Sequence, residues 1–220
     1  MSHPYDGAAR KVLAQAEDVR QLFESAVGPE IDGVCLAVDR ALIAIVTFNS
    51  HAPRMPDPQR SQCVQMTLLF GKALTDILGA IELFRTGYDE LCLSVMRSAM
   101  ESWATAILIG CDPQVGRQFM EGRFSTNDSI QRVLRHNAVN LDPEWKRQIA
   151  ETYKMLHSFA HPTAVGLSPM VGKGGLFLGG RFLQARIEVY RQILTGCAQM
   201  ARNIEAAVPG FKPKFEPEKF

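Results

Sequence analysis

Between Leu91 and Cys111 lie 21 consecutive residues with only two charged side chains, Arg97 and Glu101. As a helix this stretch is about 31 Å long, enough to cross a bilayer. Yet an arginine and a glutamate near its middle would each cost about 2.5–3.5 kcal/mol in lipid. Ser94, Ser98 and Thr105 fall on the same side. The segment is therefore expected to be a helix buried on all sides within a protein interior, with no membrane span. Such a helix requires a jacket of amphipathic neighbours, and the rest of the chain supplies them.

Ala8 to Val27 places Val12, Ala16, Val19, Phe23 and Val27 on one stripe, and Gly28-Pro29 is expected to end that outer helix. Gly33 to Phe48 carries only Asp39 and Arg40 as charges, and the proline-rich segment 51–58 reads as a surface loop. Cys63 to Arg85 offers two apolar faces. One is Val64, Leu68, Leu74, Leu78 and Ile81; the other is Met66, Phe70, Ala73, Ile77 and Phe84. Two apolar faces predict a central helix. Asp112-Pro113 is an N-cap followed by proline at the first helical position, opening a short helix to about Phe124. Ser125 to Asp128 starts another, and Asp142-Pro143-Glu144 opens a helix reaching His161, where Pro162 disfavours continuation.

The period changes after Pro162. Leu167–Val171 and Leu176–Leu178 flank Gly172-Lys173-Gly174-Gly175, the pattern of a small β-hairpin. The glycines do not make a phosphate-binding loop, because the spacing from Gly166 is too long and Gly174 stands where a hydroxyl residue belongs. Arg181 to Ala207 is a last helix with Phe182, Val189, Ile193, Cys197, Met200 and Ile204 as its core stripe. The fold expected is all-α, a single-domain bundle of about seven helices over residues 1–208, with one small hairpin before the last helix. Residues 209–220, with three prolines, read as an extended tail.

Mean hydropathy is −0.04 and net charge +1, so no global field recruits nucleic acid or anionic lipid. The balance conceals an asymmetry. Residues 1–113 hold nine Lys+Arg and fourteen Asp+Glu, net −5, whereas residues 114–214 hold fourteen and seven, net +7. The basic half, with Arg117, Arg123, Arg132, Arg135, His136, Lys146 and Arg147, is either a solvated face or a nucleotide or nucleic-acid contact. Five cysteines, odd in number and with no C-x-x-C pair, argue for buried reduced thiols and a cytoplasmic setting. With Asp6 and no apolar run in the segment from Met1 to Lys11, no secretory leader is expected.

Two constellations can carry chemistry. Arg97 and Glu101, at i and i+4, either pair to fix register or line a polar pocket. Tyr153, His157 and His161 end the Asp142 helix. His157 and His161 at i and i+4 can share a metal if Glu101 completes the set; the plainer alternative is a helix-terminal and a half-buried histidine. No cofactor is expected.

Arg97-Ser98-Ala99-Met100-Glu101, with Ser158 and His161-Pro162 downstream and a glycine-rich turn before the last helix, resembles bacterial helical families with an R-S-x-x-E core helix and an S-x-x-H-P segment. These are similar to the HEPN (higher eukaryotes and prokaryotes nucleotide-binding) bundles, and the resemblance covers residues 64–207. It implies an all-α bundle, often a homodimer, in stress, defence or toxin systems, with Arg97, Glu101, Tyr153 and His161 as a core polar centre. Ribonuclease members carry an arginine and a histidine with four to six residues between them on a core helix. Here Lys154 stands at the matching distance before His161, and Arg132 and His136 are too close. The resemblance thus implies a non-catalytic binding or interaction module acting on a nucleotide, nucleic acid or partner protein. The alternative is a metal-dependent or acid-base hydrolase or nuclease centred on Glu101, His157 and His161.

Overall fold

The computed structural model describes residues 8–136, 143–160, 171–172, 175–176 and 180–210. Among them are seven α-helices: α1 (Ala8–Asn49), α2 (Gln59–Arg85), α3 (Asp89–Cys111), α4 (Pro113–Met120), α5 (Ser129–Arg135), α6 (Pro143–Ala160) and α7 (Ile187–Gly210). The chain is thus an all-helical bundle, and no described helix is long and apolar enough to cross a membrane. Val171–Gly172 and Gly175–Leu176 pair antiparallel, Val171 opposite Leu176. The rest of the expected hairpin lies outside the described residues, as does the 211–220 part of the expected tail.

Helix α3 lies at the centre. Every residue from Ser102 to Ile109 is buried, because α2 packs along one side while α4, α5 and α6 close the others. Its N-terminal half is less enclosed, and Leu91 is exposed. Asp112 caps α4 as expected: its side chain accepts from the Gln114 N–H at 2.8 Å, and Pro113 fills the first position.

Three expectations have distinct outcomes. First, the helix from Ala8 does break at Gly28-Pro29: Val27 has non-helical backbone angles (φ −141°, ψ 21°), and a second helical segment follows through Pro29 within α1. Proline blocks one ladder hydrogen bond but is tolerated in a first turn, so the break costs little beyond a bend. Both halves stay on one core because Val27, Ile31 and Val34 are all buried. Second, α2 is not buried on both apolar faces. Met66, Phe70, Ala73, Ile77 and Phe84 are core, with Leu74 and Ile81, but Val64, Leu68 and Leu78 are exposed. Third, the last helix starts at Ile187 after a 3₁₀ turn at Gln184–Arg186, and Val189 points to solvent. Cys35 is likewise exposed, whereas Cys63, Cys92 and Cys197 are buried.

The lower end of the bundle is closed by an aromatic cluster joining three helices. Phe23 of α1 meets Phe84 of α2 at 4.7 Å and Tyr190 of α7 at 4.8 Å between ring centroids. Beside it the α2–α3 turn and the entry to α7 cross at backbone distance. Gly87 has φ +81°, and Arg181 N donates to its carbonyl at 3.2 Å. Across the outside, Arg20 and Arg85 pair with Glu82 and Glu24, and Arg191 pairs with Glu30, tying α1 to α2 and α7.

Candidate functional site

The buried arginine and glutamate of α3 do meet, and a residue 52 positions downstream joins them. Glu101 Oε1 accepts from Arg97 Nε at 2.9 Å and from the Tyr153 hydroxyl at 2.6 Å. The Arg97 guanidinium carbon lies 5.6 Å from the centroid of the Tyr153 ring. Tyr153 is buried on α6, and the Arg97 and Glu101 side chains are only 13% and 14% exposed. The Tyr153 oxygen is also 3.2 Å from the Asn127 carbonyl. The backbone carbonyl of Glu101 accepts from Thr105 at 2.8 Å and lies 3.2 Å from the Ser129 hydroxyl, which is 2.7 Å from the Thr126 carbonyl. The cluster therefore fastens α3, α6 and the 126–129 turn at one joint.

The physics of that joint is that of a latch. Two charges leave water only if paired and hydrogen-bonded, and here the pair is completed by a neutral phenol donating to the carboxylate. Burial and the bond to Glu101 both hold the Tyr153 phenol above its ordinary 10.0. For Arg97 burial works the other way, but Tyr153 and the charge of Glu101 outweigh it and keep the guanidinium protonated. The Tyr153 shift has a pH consequence. The folded chain holds a proton that the unfolded chain has already released, so this stabilisation is complete below about pH 10 and is lost as pH rises through the folded value. Urea unfolding at about pH 9 and about pH 11 should show a steeper alkaline loss in the parent than in Tyr153→Phe, which removes the ionisable group. Equal slopes would mean that the phenol is solvated.

His157 is exposed, and its ring centroid is 6.4 Å from that of Tyr153. His161 lies outside the described residues, so the expected set of Glu101, His157 and His161 is not assembled within them. Among the described residues no three His, Cys, Asp or Glu side chains cluster in a way that would hold a metal ion.

Helix α6 also borders a groove of about 470 Å³. Its floor is Met96, Met100 and Trp103 of α3, with Ile149 of α6 and Met200 of α7. Its rim is Gln148 and Thr152 on α6 and Gln192, Thr195, Gln199 and Asn203 on α7. Every rim side chain both donates and accepts hydrogen bonds, and among the described residues none that lines the groove is charged. The Trp103 indole N–H is buried without an acceptor among the described residues. Gly196 also lines the groove, and a Cβ built on it meets nothing within 4 Å. Under the floor, Cys197 lies 3.0 Å from the Met96 sulfur, and burial pushes its thiol up to about 12, so it is inert as a nucleophile.

Sequence reasoning missed this groove. Gln192, Gln199 and Asn203 look like the solvent side of an amphipathic helix, and only the thin contact between α3 and α7 leaves space beneath them. The signal that was present is Gly196, a mid-helix glycine with no turn to make.

The basic residues of the middle segment are partly spoken for. Arg123 pairs with Glu121, and Arg147 bridges Glu144 and Glu151 on α6. Hydrogen bonds from Arg147 and Gln148 hold the Glu144 carboxyl at about 2, well below the usual range. Arg132 stacks over the Phe124 ring at 4.5 Å, an arginine–aromatic platform that the sequence did not suggest.

No protein-family model, no curated protein and no solved structure matches this chain.

Proposed function

We propose that the chain is a HEPN-like, non-catalytic binding module, homodimeric and cytoplasmic, acting in a bacterial stress or defence setting. It takes the base and sugar of a nucleotide, or of an unpaired nucleic-acid residue, into the groove between α3, α6 and α7. The observation that carries this reading is the uncharged lining that the described residues give that groove. Thioethers and an indole offer polarisable faces to a flat ring, and carboxamides and hydroxyls around the rim match its hydrogen-bonding edges. Phosphates find no cation among the described lining residues and stay outside. Chemistry is a poorer fit to the latch, because Glu101 Oε1 already accepts two hydrogen bonds in a nearly closed cluster. The hydrolase alternative at Glu101, His157 and His161 would have to break the joint that holds α6.

Thermal denaturation with the four ribonucleosides and their monophosphates tests the reading. At a hundredfold excess over Kd, binding adds about 2.7 kcal/mol, which raises Tm by about 5–10 °C in a chain of this size. The expected result is a saturable rise with at least one nucleoside, matched by its monophosphate and abolished in Gly196→Leu. A Cβ there meets nothing within 4 Å, and the longer side chain takes up groove space. No shift with any nucleoside would overturn the reading.

A further inference from the structure

The faces of α1 and α2 that look away from the core are apolar where a lone subunit has no use for it. On α1, Leu36, Ile43 and Val46 lie opposite the buried stripe of Val34, Ala41 and Ile45, and each is more than half exposed. On α2, Val64, Leu68 and Leu78 are 41%, 67% and 43% exposed. They belong to one row, 64, 68, 71, 75, 78 and 82, that steps alternately by four and three residues. Its last member, Glu82, pairs with Arg20 of α1, so this row runs along the edge of α2 that adjoins α1. The two helices run antiparallel, with the Cys63 thiol at 3.9 Å from the Phe48 carbonyl at one end and the Arg20–Glu82 pair at the other. On α1, residues 36, 39, 43, 46 and 50 keep the same three-four rhythm. That is the spacing of a helix seam, and both helices carry it facing outward.

We infer that this face is the contact between two copies of the chain, joined isologously so that α1 and α2 of each protomer form a four-helix layer with their mates. With each of the six 41–67% exposed, they leave several hundred Å² of apolar surface, the order of the largest patch of a typical monomer and of what one partner gives a modest interface. Paired across a two-fold axis, the face buries about twice that, the order of a small stable dimer. The rows are mostly uncharged, with Asp39 on α1 and the Arg20-paired Glu82 on α2 as their acids, and a mostly apolar seam suits a second copy better than a charged partner. The glycines of α2 agree with this. Gly71 and Gly79 are mid-helix and cost stability there, and a Cβ at either would meet nothing within the chain. A partner helix that approaches closely over Gly71-x-x-x-Thr75-x-x-x-Gly79 gives them a role. The surface gives a location to the homodimer of the proposed function, on which the inference rests, and is independent of what the groove binds.

Sedimentation equilibrium of the full chain, alongside Ile43→Glu and Leu68→Glu combined in one protein, decides it. The expected result is a dimer for the parent and half that mass for the variant, with unchanged far-ultraviolet circular dichroism, because both positions are exposed in the single subunit. A dimer that persists in the variant overturns this surface and leaves dimerisation standing. A parent that is monomeric at every concentration overturns both.

Discussion

Gly180→Ala is expected to be the most damaging small substitution in this chain, costing about 3 kcal/mol or more and lowering Tm by about 6–12 °C. A Cβ on Gly180 would sit 1.6 Å from the Thr86 carbonyl oxygen, and one on Gly87 would sit 2.2 Å from Arg181 N. Both obstacles are backbone, which cannot rotate away as a side chain does. Relief requires the α2–α3 turn and the entry to α7 to separate. That would strain the bond from Leu183 N to the Tyr190 hydroxyl and the packing of Phe182 on Phe23, the contacts that seat α7 at the aromatic cluster. Gly196→Ala is the internal control. It is an ordinary helical position with open space, so alanine there should be neutral or stabilise by up to about 1 kcal/mol. Thermal melts of both variants check the argument, and a Gly180→Ala protein that melts with the parent refutes the crossing.

Glu101→Ala should cost about 3 kcal/mol, the lower end of the range for breaking a buried pair, since each partner retains some contact with solvent. In a chain of 220 residues that is a Tm loss of about 6–12 °C. The loss has two parts. Arg97 stays in a mostly enclosed site without the carboxylate, and Tyr153 loses its shorter acceptor and keeps the Asn127 carbonyl at 3.2 Å. Glu101→Gln keeps an acceptor for the phenol and should recover part of the difference. If Glu101→Ala melts indistinguishably from the parent, the latch is solvated and does not hold α6.

The sequence alone determined that the chain is a bundle of helices around the segment from Leu91 to Cys111, because helix periodicity and capping are local. An apolar stripe repeats every three to four residues whatever lies opposite, and Asp112-Pro113 starts a helix through the Asp112 side chain and the next backbone N–H groups. Periodicity likewise located Arg97 and Glu101 on one face. It did not say that the third member of their hydrogen-bonded set, Tyr153, donates to the same oxygen, since that contact spans 52 residues and depends on how α6 crosses α3. The same limit explains α2. Its two apolar faces are legible, but burial of one and exposure of the other is decided by where α1 and α3 sit. Gly28-Pro29 carries a local stop signal that does interrupt the helix at Val27, but only tertiary packing seats the segments on either side, through Phe23 and Val34, on one core. The groove and the Gly180–Thr86 crossing belong wholly to tertiary structure. A helix sequence records which side is apolar, and only the arrangement of its neighbours decides whether that side meets a core, a cavity or water.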